Sequence, residues 1–175
     1  LVNDGSRDRT PEIMRELHAQ DERVKVVDFA RNFGHQIAVT AGMDYARGDA
    51  VVLIDADLQD PPELLPEMHM KIASGDYDVI SARKSGRRGK PVRKLYAGIF
   101  HRFFRSTAGL KNMSNYGNFS MMNRVAADAL LSMKEKVRYL PGLRSYIGFR
   151  HGDVEFVRDP RHSGRSKMSL RRLFT

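Results

Sequence analysis

An apolar run that ends in a cluster of carboxylates constrains this chain more than any other feature. Residues 50–54 (Ala-Val-Val-Leu-Ile) are uninterruptedly apolar, which predicts a buried strand of a parallel sheet. Asp55 and Asp57 follow directly, and two prolines then end the extended segment and favour a helix from Glu63. Because open α/β sheets bind ligands outside the carboxyl ends of their strands, we expect a binding site at this point.

The two carboxylates predict a site for a divalent cation. Oxygen ligands this close together suit a hard cation, Mg²⁺ or Mn²⁺, which commonly bridges protein carboxylates to a substrate diphosphate. The alternative is an Asp-rich turn that only caps a helix. The complete string at residues 55–63, placed after an apolar strand, favours the cation site over that alternative.

Length and composition describe one globular domain without disulfides. The chain has 175 residues, 41% hydrophobic and 29% charged, and it has no cysteine, which excludes disulfides and thiolate metal sites. No stretch approaches the ~20 apolar residues that span a bilayer. The sequence begins with Leu1 instead of Met, and we expect a fragment that starts at the end of a strand whose beginning has been removed.

Charge is divided unequally along the chain. Residues 1–80 carry 8 Lys and Arg against 16 Asp and Glu, whereas residues 81–175 carry 22 against 5, and the net charge of the whole chain is +9. We expect the acidic part to handle a cation and the basic part to bind an anion. Nucleic acid, anionic lipid and a phosphorylated substrate are all candidate anions on charge alone.

Strand and helix signals alternate in the way that a parallel α/β sheet requires. The sequence predicts strands at residues 1–2, 24–29, 51–54, 77–81, 116–122 and 154–157. It predicts helices at residues 36–46, 63–73 and 125–133, and a further one near the start of the chain. For that first helix we predict Thr10 as the N-cap and Pro11 as the first helical residue.

Two basic segments in the second half of the chain predict contacts with anions or with a membrane. Apolar residues recur at helical spacing between residues 95 and 104 with cationic residues interleaved, which predicts a basic amphipathic helix. This helix could either pack on the sheet or lie in a membrane interface. Residues 161–167 form a basic loop that enters a helix near Ser169, and such a helix N-terminus is an anion site.

Four motifs occur here in the order seen in family 2 glycosyltransferases. They are residues 2–6 (Val-Asn-Asp-Gly-Ser), 31–35 (Arg-Asn-Phe-Gly-His), 55–63 and 161–169. More narrowly, the chain resembles the polyprenyl-phosphate glycosyltransferases related to dolichyl-phosphate mannose synthase and the bactoprenol glucosyltransferases. The resemblance covers nearly the whole chain, and the aspartate string and the Arg-His-Ser-Gly-Arg-Ser-Lys loop are its specific parts.

The resemblance implies a GT-A (Rossmann-like) fold, with a mostly parallel sheet flanked by helices. It implies inverting, metal-dependent transfer of a sugar from a UDP- or GDP-sugar to polyprenyl phosphate at the cytoplasmic face of the membrane. Residues 1–175 would then be a single catalytic domain, lacking its first strand and followed by transmembrane helices. A family 2 enzyme that acts on a saccharide hydroxyl in polysaccharide synthesis is the alternative.

The resemblance also implies roles for particular residues. Asp4 would face the nucleoside base, with turn capping as the alternative, and Ser6 and Asp55 would also contact the nucleotide. Asp55, Asp57 and Gln59 would hold the metal. Arg161, Arg165 and Lys167 would hold the diphosphate and close over it, and these three together with Asp57 are the expected catalytic residues. Arg83 and Arg93 would receive the acceptor phosphate.

One departure from the family concerns the catalytic base. Many relatives carry an acidic residue where this chain has Asn118, so no carboxylate base is assigned there. A lipid phosphate is already ionised at neutral pH and attacks without a base, whereas a sugar hydroxyl needs one. Asn118 therefore favours a phosphate acceptor.

A nucleic-acid-binding module is a further alternative, of a different class. It explains the basic second half but not the clustering of acidic residues around a strand end, and the chain lacks the patterned sheet aromatics that stack on bases. We therefore expect no nucleic-acid partner. The sequence leaves the oligomeric state open, a homo-oligomer included.

Overall fold

The computed structural model describes residues 1–85, 116–135 and 138–157, and the structural statements below concern these ranges. The strands are β1 (Val2–Asn3), β2 (Val27–Asp28), β3 (Ala50–Leu53), β4 (Val79–Ser85), β5 (Tyr116–Asn123) and β6 (His151–Val157). The helices are α1 (Thr10–Gln20), α2 (His35–Tyr45), α3 (Leu65–Ala73), α4 (Arg124–Ser132) and α5 (Leu140–Tyr146), with a 3₁₀ turn (Pro62–Leu64) before α3.

Four of the strands form one sheet in the order β3-β5-β4-β6. β5 runs antiparallel to both β3 and β4, and β6 runs parallel to β4, so β3, β4 and β6 all point the same way. β1 and β2 form a separate parallel pair. The predicted α/β class is confirmed, with β5 as the antiparallel exception to the expected parallel order. An apolar run does not encode the direction of its strand, which is why the sequence did not predict this exception.

Successive residues of the central strands pack on opposite faces of the sheet. Val51 and Leu53 belong to a core cluster with α2, α4 and α5, whereas Ala50 and Val52 pack on a second cluster with Met68 of α3. Neighbouring pairs in β4 and β5 divide between the two clusters in the same way. Because helices cover both faces, the strands are apolar on both sides and not alternating.

The helix boundaries differ from the sequence predictions at the first helix. α1 begins at Thr10, and Arg9 is its N-cap, so the prediction that Thr10 is the N-cap is wrong. The Thr10 N–H donates to Asp8 Oδ1 at 3.0 Å, so the side chain two residues upstream supplies the cap acceptor. Pro11 lies in the first turn but is the second helical residue, one position later than predicted.

Other elements are shorter, shifted or new. The strand predicted at 24–29 is only Val27–Asp28, and the helix predicted from Glu63 begins with the 3₁₀ turn before α3. Helix α5 was not predicted, because its Pro141 and Gly142 resemble the punctuation of a loop. Pro141 lies in the first turn, where the missing N–H has no helical partner to lose.

Several predicted features lie outside the described residues. They are the basic amphipathic helix near residues 95–104, Arg93, and the loop that contains Arg161, Arg165 and Lys167. Within the residues that are described, no helix combines the length and apolarity needed to cross a membrane.

A bidentate ion pair joins the amino-terminal ends of β4 and β6. Arg150 donates from Nε to Asp78 Oδ2 and from Nη2 to Asp78 Oδ1, both at 2.9 Å, and Asn123 Nδ2 donates to Asp78 Oδ1 at 2.9 Å. The Asp78 side chain is only 14% exposed. The Arg150 guanidinium therefore lowers the pKa of Asp78 to about 2, against an ordinary value of 3.8.

We predict that Asp78→Asn lowers the free energy of unfolding by about 1–2 kcal/mol at pH 7, since it removes a charge-assisted pair. The folded pKa lies below the unfolded one, so this stability is fully present above about pH 4 and is lost as pH falls through 2. Urea unfolding of both proteins between pH 7 and pH 2.5 measures the difference, which should shrink below pH 4.

Asp128→Asn is the matched control, because Asp128 pairs with Arg124 one helical turn away and is 59% exposed. That variant should lose at most about 0.5 kcal/mol. A loss at Asp78→Asn that stays constant down to pH 2.5 would contradict the prediction.

Candidate active site

Three elements bring polar side chains together at the carboxyl edge of the sheet, where β3, β4 and β6 end and β5 begins. Leu53 pairs with Ser120, so Asp55 and Asn118 lie just beyond on neighbouring strands. His35, the first residue of α2, has Nε2 3.1 Å from Asp55 Oδ1 and 3.0 Å from Asn118 Nδ2. We call His35, Asp55 and Asn118 the edge cluster.

His35 Nε2 lies within hydrogen-bonding distance of both Asp55 and Asn118, and its protonation decides which of the two hydrogen bonds forms. A neutral ring nitrogen either donates or accepts, so Nε2 either donates to Asp55 or accepts from the Asn118 amide. In both arrangements His35 lies between the other two side chains and contacts one oxygen of Asp55. His35 belongs to the motif at residues 31–35, but no role was predicted for it. Its place at the start of a helix, directly after Gly34, was the available signal.

Asp57 lies in a turn that holds an unusual backbone conformation. Its Oδ1 accepts a hydrogen bond from the Gln59 N–H at 3.1 Å. Leu58, between them, has φ +58° and is 75% exposed, and it is the one non-glycine residue with positive φ in the described part of the chain. A branched-chain residue holds this conformation at a cost of about 1–2 kcal/mol, which often marks a functional loop.

The protein supplies a small set of carboxylates near the strand end. Within residues 1–85, 116–135 and 138–157, no group of three or more His, Cys, Asp or Glu side chains is placed to hold a metal ion. Asp55 and Asp57 lie just beyond the end of β3, and the metal-binding role expected of them remains a prediction. Gln59, predicted as a ligand, contacts Asp57 through its backbone N–H.

Asp4 caps the turn that leads into α2. Its carboxylate accepts from the Phe33 N–H at 2.7 Å, from the Gly34 N–H at 3.0 Å and from Asn32 Nδ2 at 2.8 Å. These hydrogen bonds are those of the turn-capping alternative. Contact between Asp4 and a nucleoside base remains a prediction.

A pocket of about 320 Å³ opens between the segments that follow β1 and β2. Ser6, predicted to contact the nucleotide, lines it, as do three arginines, Arg7, Arg15 and Arg31. The polar residues that line it also include Asn3, Asp28 and Asn32. The pocket is thus lined by both cationic and hydrogen-bonding side chains. Arg7 and Arg15 were not predicted from the sequence, because they belong to no motif.

The walls of this pocket are fixed by hydrogen bonds and by ring stacking. Asn3 is buried, donates from Nδ2 to Asp28 Oδ1 at 2.7 Å and accepts from the Ser6 N–H at 3.1 Å. The Arg31 guanidinium lies over the Phe33 ring, 4.2 Å from its centroid. The β1 and β2 ends are therefore held together before any ligand binds.

Arg83 of β4, predicted to bind the acceptor phosphate, forms ion pairs with two residues of the neighbouring strand β6. Its Nε lies 3.0 Å from Asp153 Oδ2, and its Nη2 pairs with Glu155. Two carboxylates thus counter the charge of Arg83. The phosphate-binding role remains a prediction, as do the roles of Arg93, Arg161, Arg165 and Lys167, which lie outside the described residues.

The sequence has clear relatives. Residues 1–131 match the family described as Glycosyl transferase family 2. Over 174 residues the chain is 47% identical to the uncharacterized glycosyltransferase YkcC of Bacillus subtilis, and over 171 residues it is 36% identical to the prophage bactoprenol glucosyl transferase homolog of Escherichia coli. These matches cover 99% and 97% of this chain but 54% and 55% of the relatives, so the chain spans about half the length of the curated relatives it matches.

Solved structures share its fold. A mannosyltransferase from Pyrobaculum calidifontis, in complex with GDP-Man and Mn²⁺, matches with a TM-score of 0.61 at 18% identity, over 94% of this chain and 47% of that one. Glucosyl-3-phosphoglycerate synthase from Mycobacterium tuberculosis, in complex with Mn²⁺, UDP-glucose and phosphoglyceric acid, matches with a TM-score of 0.60 at 20% identity, over 93% of this chain and 60% of that one.

The α/β sheet with its polar carboxyl edge is thus the GT-A fold of glycosyltransferases. The chain belongs to glycosyl transferase family 2. The resemblance to that family, and to its bactoprenol glucosyltransferases, is confirmed.

We predict that Gly5→Ala disrupts the pocket between the segments that follow β1 and β2. Gly5 has φ +70°, and a Cβ there would collide with backbone atoms of Arg31 and Asn32, which cannot rotate away. The variant should lose about 3 kcal/mol of unfolding free energy or separate the β1 and β2 loops. Urea unfolding measures the loss of stability. Faster cleavage by trypsin after Arg15 would show that the loops after β1 and β2 have separated.

Gly75→Ala is the matched control. Gly75 has φ +79°, but a Cβ there would meet no atom within 4 Å, so only backbone strain of about 1 kcal/mol is expected. Equal losses at the two positions would show that the close approach to Arg31 has no energetic weight.

Proposed function

We propose that this glycosyltransferase transfers a sugar from a UDP- or GDP-sugar to polyprenyl phosphate, with inversion and with a divalent cation, at the cytoplasmic face of a membrane. The observation that carries the proposal is the edge of the sheet itself. Asp55 and Asp57 lie just beyond β3, and the residue on the other side of His35 from Asp55 is an amide, Asn118, which cannot act as a general base.

The donor half of the proposal rests on the pocket and on the solved relatives. The pocket's three arginines suit a diphosphate, and Asp28 with Asn3 presents hydrogen-bonding groups suited to a base. Structures with this fold are described in complex with GDP-Man and with UDP-glucose. We infer a nucleotide-sugar of one of these two kinds, with Asp4 and Ser6 on the nucleotide side.

The residues present fit a divalent cation. Mg²⁺ and Mn²⁺ sites commonly use one or two carboxylates and complete their shell with water and substrate phosphates. His35 contacts only Oδ1 of Asp55, and Asp57 follows two residues later, so Asp55 and Asp57 would hold the cation, with the Gln59 amide as a further ligand. When bound, the cation neutralises charge on the departing nucleoside diphosphate.

The chain's own residues would then orient the reactants. Asn118 cannot accept a proton, so in this proposal it orients its neighbours and does not act as a base. A phosphate acceptor needs no base, because it is ionised at neutral pH. Arg161, Arg165 and Lys167 would hold the diphosphate, and Arg83 and Arg93 would receive the acceptor phosphate.

The acceptor half rests on the relatives at 36% identity, which are described as bactoprenol glucosyl transferases. Bactoprenol is a polyprenyl lipid, and a lipid acceptor would require the full-length protein to work at a membrane surface. A saccharide hydroxyl is the second candidate acceptor, and the neutral Asn118 disfavours it.

We predict that the full-length protein, with Mn²⁺, transfers sugar from a UDP- or GDP-sugar to undecaprenyl phosphate in detergent micelles. Radiolabelled donors, tested one at a time, should give a labelled product that partitions into organic solvent. Oligosaccharide acceptors run in parallel serve as the control. Label appearing only in oligosaccharide would replace the lipid acceptor with a hydroxyl acceptor.

We predict that Asp57→Ala abolishes Mn²⁺-dependent binding of a nucleoside diphosphate and leaves the fold intact, because Asp57 lies beyond the strand and outside the core. Calorimetry with UDP and with GDP, each with and without Mn²⁺, measures the loss. Asp49→Ala is the control, since Asp49 is exposed and precedes the same strand at its opposite end. Unchanged binding in Asp57→Ala would remove Asp57 from the metal site.

A further inference from the structure

Helix α5 is joined to both sides of the edge cluster. At its start, the Leu140 N–H donates to Gln36 Oε1 at 2.9 Å, and Gln36 is the neighbour of His35. One turn further on, Arg144 reaches the beginning of β5, where it contacts the carbonyl oxygens of Gly117 and Asn118. One short helix thus contacts the segments that carry two of the three cluster residues.

Arg144 is among the most buried side chains of the described protein, with 2% of its surface exposed. Its Nη2 donates to the Gly117 carbonyl at 3.0 Å. Its Nη1 donates to Ser120 Oγ at 2.6 Å and reaches the Asn118 carbonyl at 3.4 Å. Ser120 Oγ in turn donates to that same Asn118 carbonyl at 2.8 Å.

These contacts fix the backbone of one residue in particular. The Asn118 carbonyl accepts from both Arg144 and Ser120, while the Asn118 side chain extends towards His35. A guanidinium is costly to bury, and an apolar side chain would fill the same core space more cheaply. The buried guanidinium therefore serves to position its hydrogen-bond acceptors, since its planar set of donors can bind two carbonyls and a hydroxyl at once.

We propose that Arg144 is a positioning residue for the cation site. It fixes residues 117–118 of β5 so that the Asn118 side chain lies against His35 Nε2, and this contact sets the position of the imidazole ring beside Oδ1 of Asp55. Arg144 contacts neither cation nor substrate in this scheme. The proposal rests on the proposed function, because it assumes that Asp55 helps to bind a divalent cation.

Replacing Arg144 should therefore weaken cation binding, and it should do so by displacing Asn118. Removing groups that orient metal ligands commonly weakens metal binding by about 10- to 100-fold. Arg144→Met should therefore weaken Mn²⁺ binding in the presence of UDP or GDP at least about tenfold. Arg144→Lys should recover part of this loss, because an ammonium can donate to one carbonyl but cannot span both.

The experiment measures Mn²⁺ dissociation constants by electron paramagnetic resonance of the full-length protein with UDP or GDP, together with urea unfolding of each variant. Arg150→Met is the matched control: it removes an arginine that is hydrogen-bonded to Asp78 at the opposite edge of the same sheet. It should lower stability but leave the Mn²⁺ dissociation constant within about twofold, because distant sites act independently.

The double variant Arg144→Met/Asn118→Ala separates positioning from general destabilisation. If Arg144 acts through Asn118, the double variant binds Mn²⁺ about as weakly as Asn118→Ala alone. Independent effects, which multiply in the dissociation constant, would overturn the proposal. If Arg144→Met does not fold, Arg144→Lys and its double variant with Asn118→Ala decide in the same way.

Two different results would reject the positioning role of Arg144 alone or the proposed cation site as a whole. Normal Mn²⁺ affinity in both Arg144 variants would remove Arg144 from the site and leave the proposed function standing. An unmodified protein that binds no Mn²⁺ with either nucleotide would overturn the proposed cation site, and the positioning role with it.

Discussion

The central place of β5 in the sheet is the constraint on which the rest of the structure depends. β5 lies between β3 and β4 and runs against both, so its first residues enter the edge where its neighbours end. That reversal brings Asn118 beside Asp55 and within reach of His35. A parallel strand in the same place would have brought its last residues to this edge instead. The chemistry at the edge is therefore set by strand direction as much as by residue type.

The two edges of this sheet are built from different interactions. At the amino edge, Asp78, Arg150 and Asn123 form a dense set of charge-assisted hydrogen bonds that ties β4, β5 and β6 together. At the carboxyl edge, partly exposed side chains meet through single hydrogen bonds. Local stability is expected to follow the density of such contacts. The amino edge is therefore expected to be locally more stable than the partly exposed side chains of the edge cluster, whose β5 backbone is fixed from the buried side by Arg144.

Much of the fold followed from local patterns in the sequence. The strand at 51–54, helix α2 and helix α4 were each predicted within about one residue, because apolar periodicity and helix signals agree there. The carboxylates of Asp55 and Asp57 were identified because they follow a strand directly. In these stretches the local signal and the tertiary environment favour the same structure.

The features that the sequence did not predict depend on partners far along the chain. Asp4 caps a turn almost thirty residues away, and the proline and glycine of α5 concealed a helix that is stabilised by burial of Leu140 and by Gln36. Arg144 looked like one of many surface cations, since nothing local shows that its hydrogen-bond acceptors lie on β5. Residue pattern reports which face of an element is apolar but not which distant group meets it.

The edge cluster and the proposed acceptor are linked by one chemical argument. A cluster that ends in an amide can orient a carboxylate and a cation, but it has no group at Asn118 that could remove a proton from a hydroxyl. The amide at Asn118 therefore favours a nucleophile that is already ionised. A phosphate is such a nucleophile, and the excess of Lys and Arg in residues 81–175 supplies the positive potential that would draw it in. The buried Arg144 then serves the same end, because a site that relies on orientation alone must hold its orienting groups still.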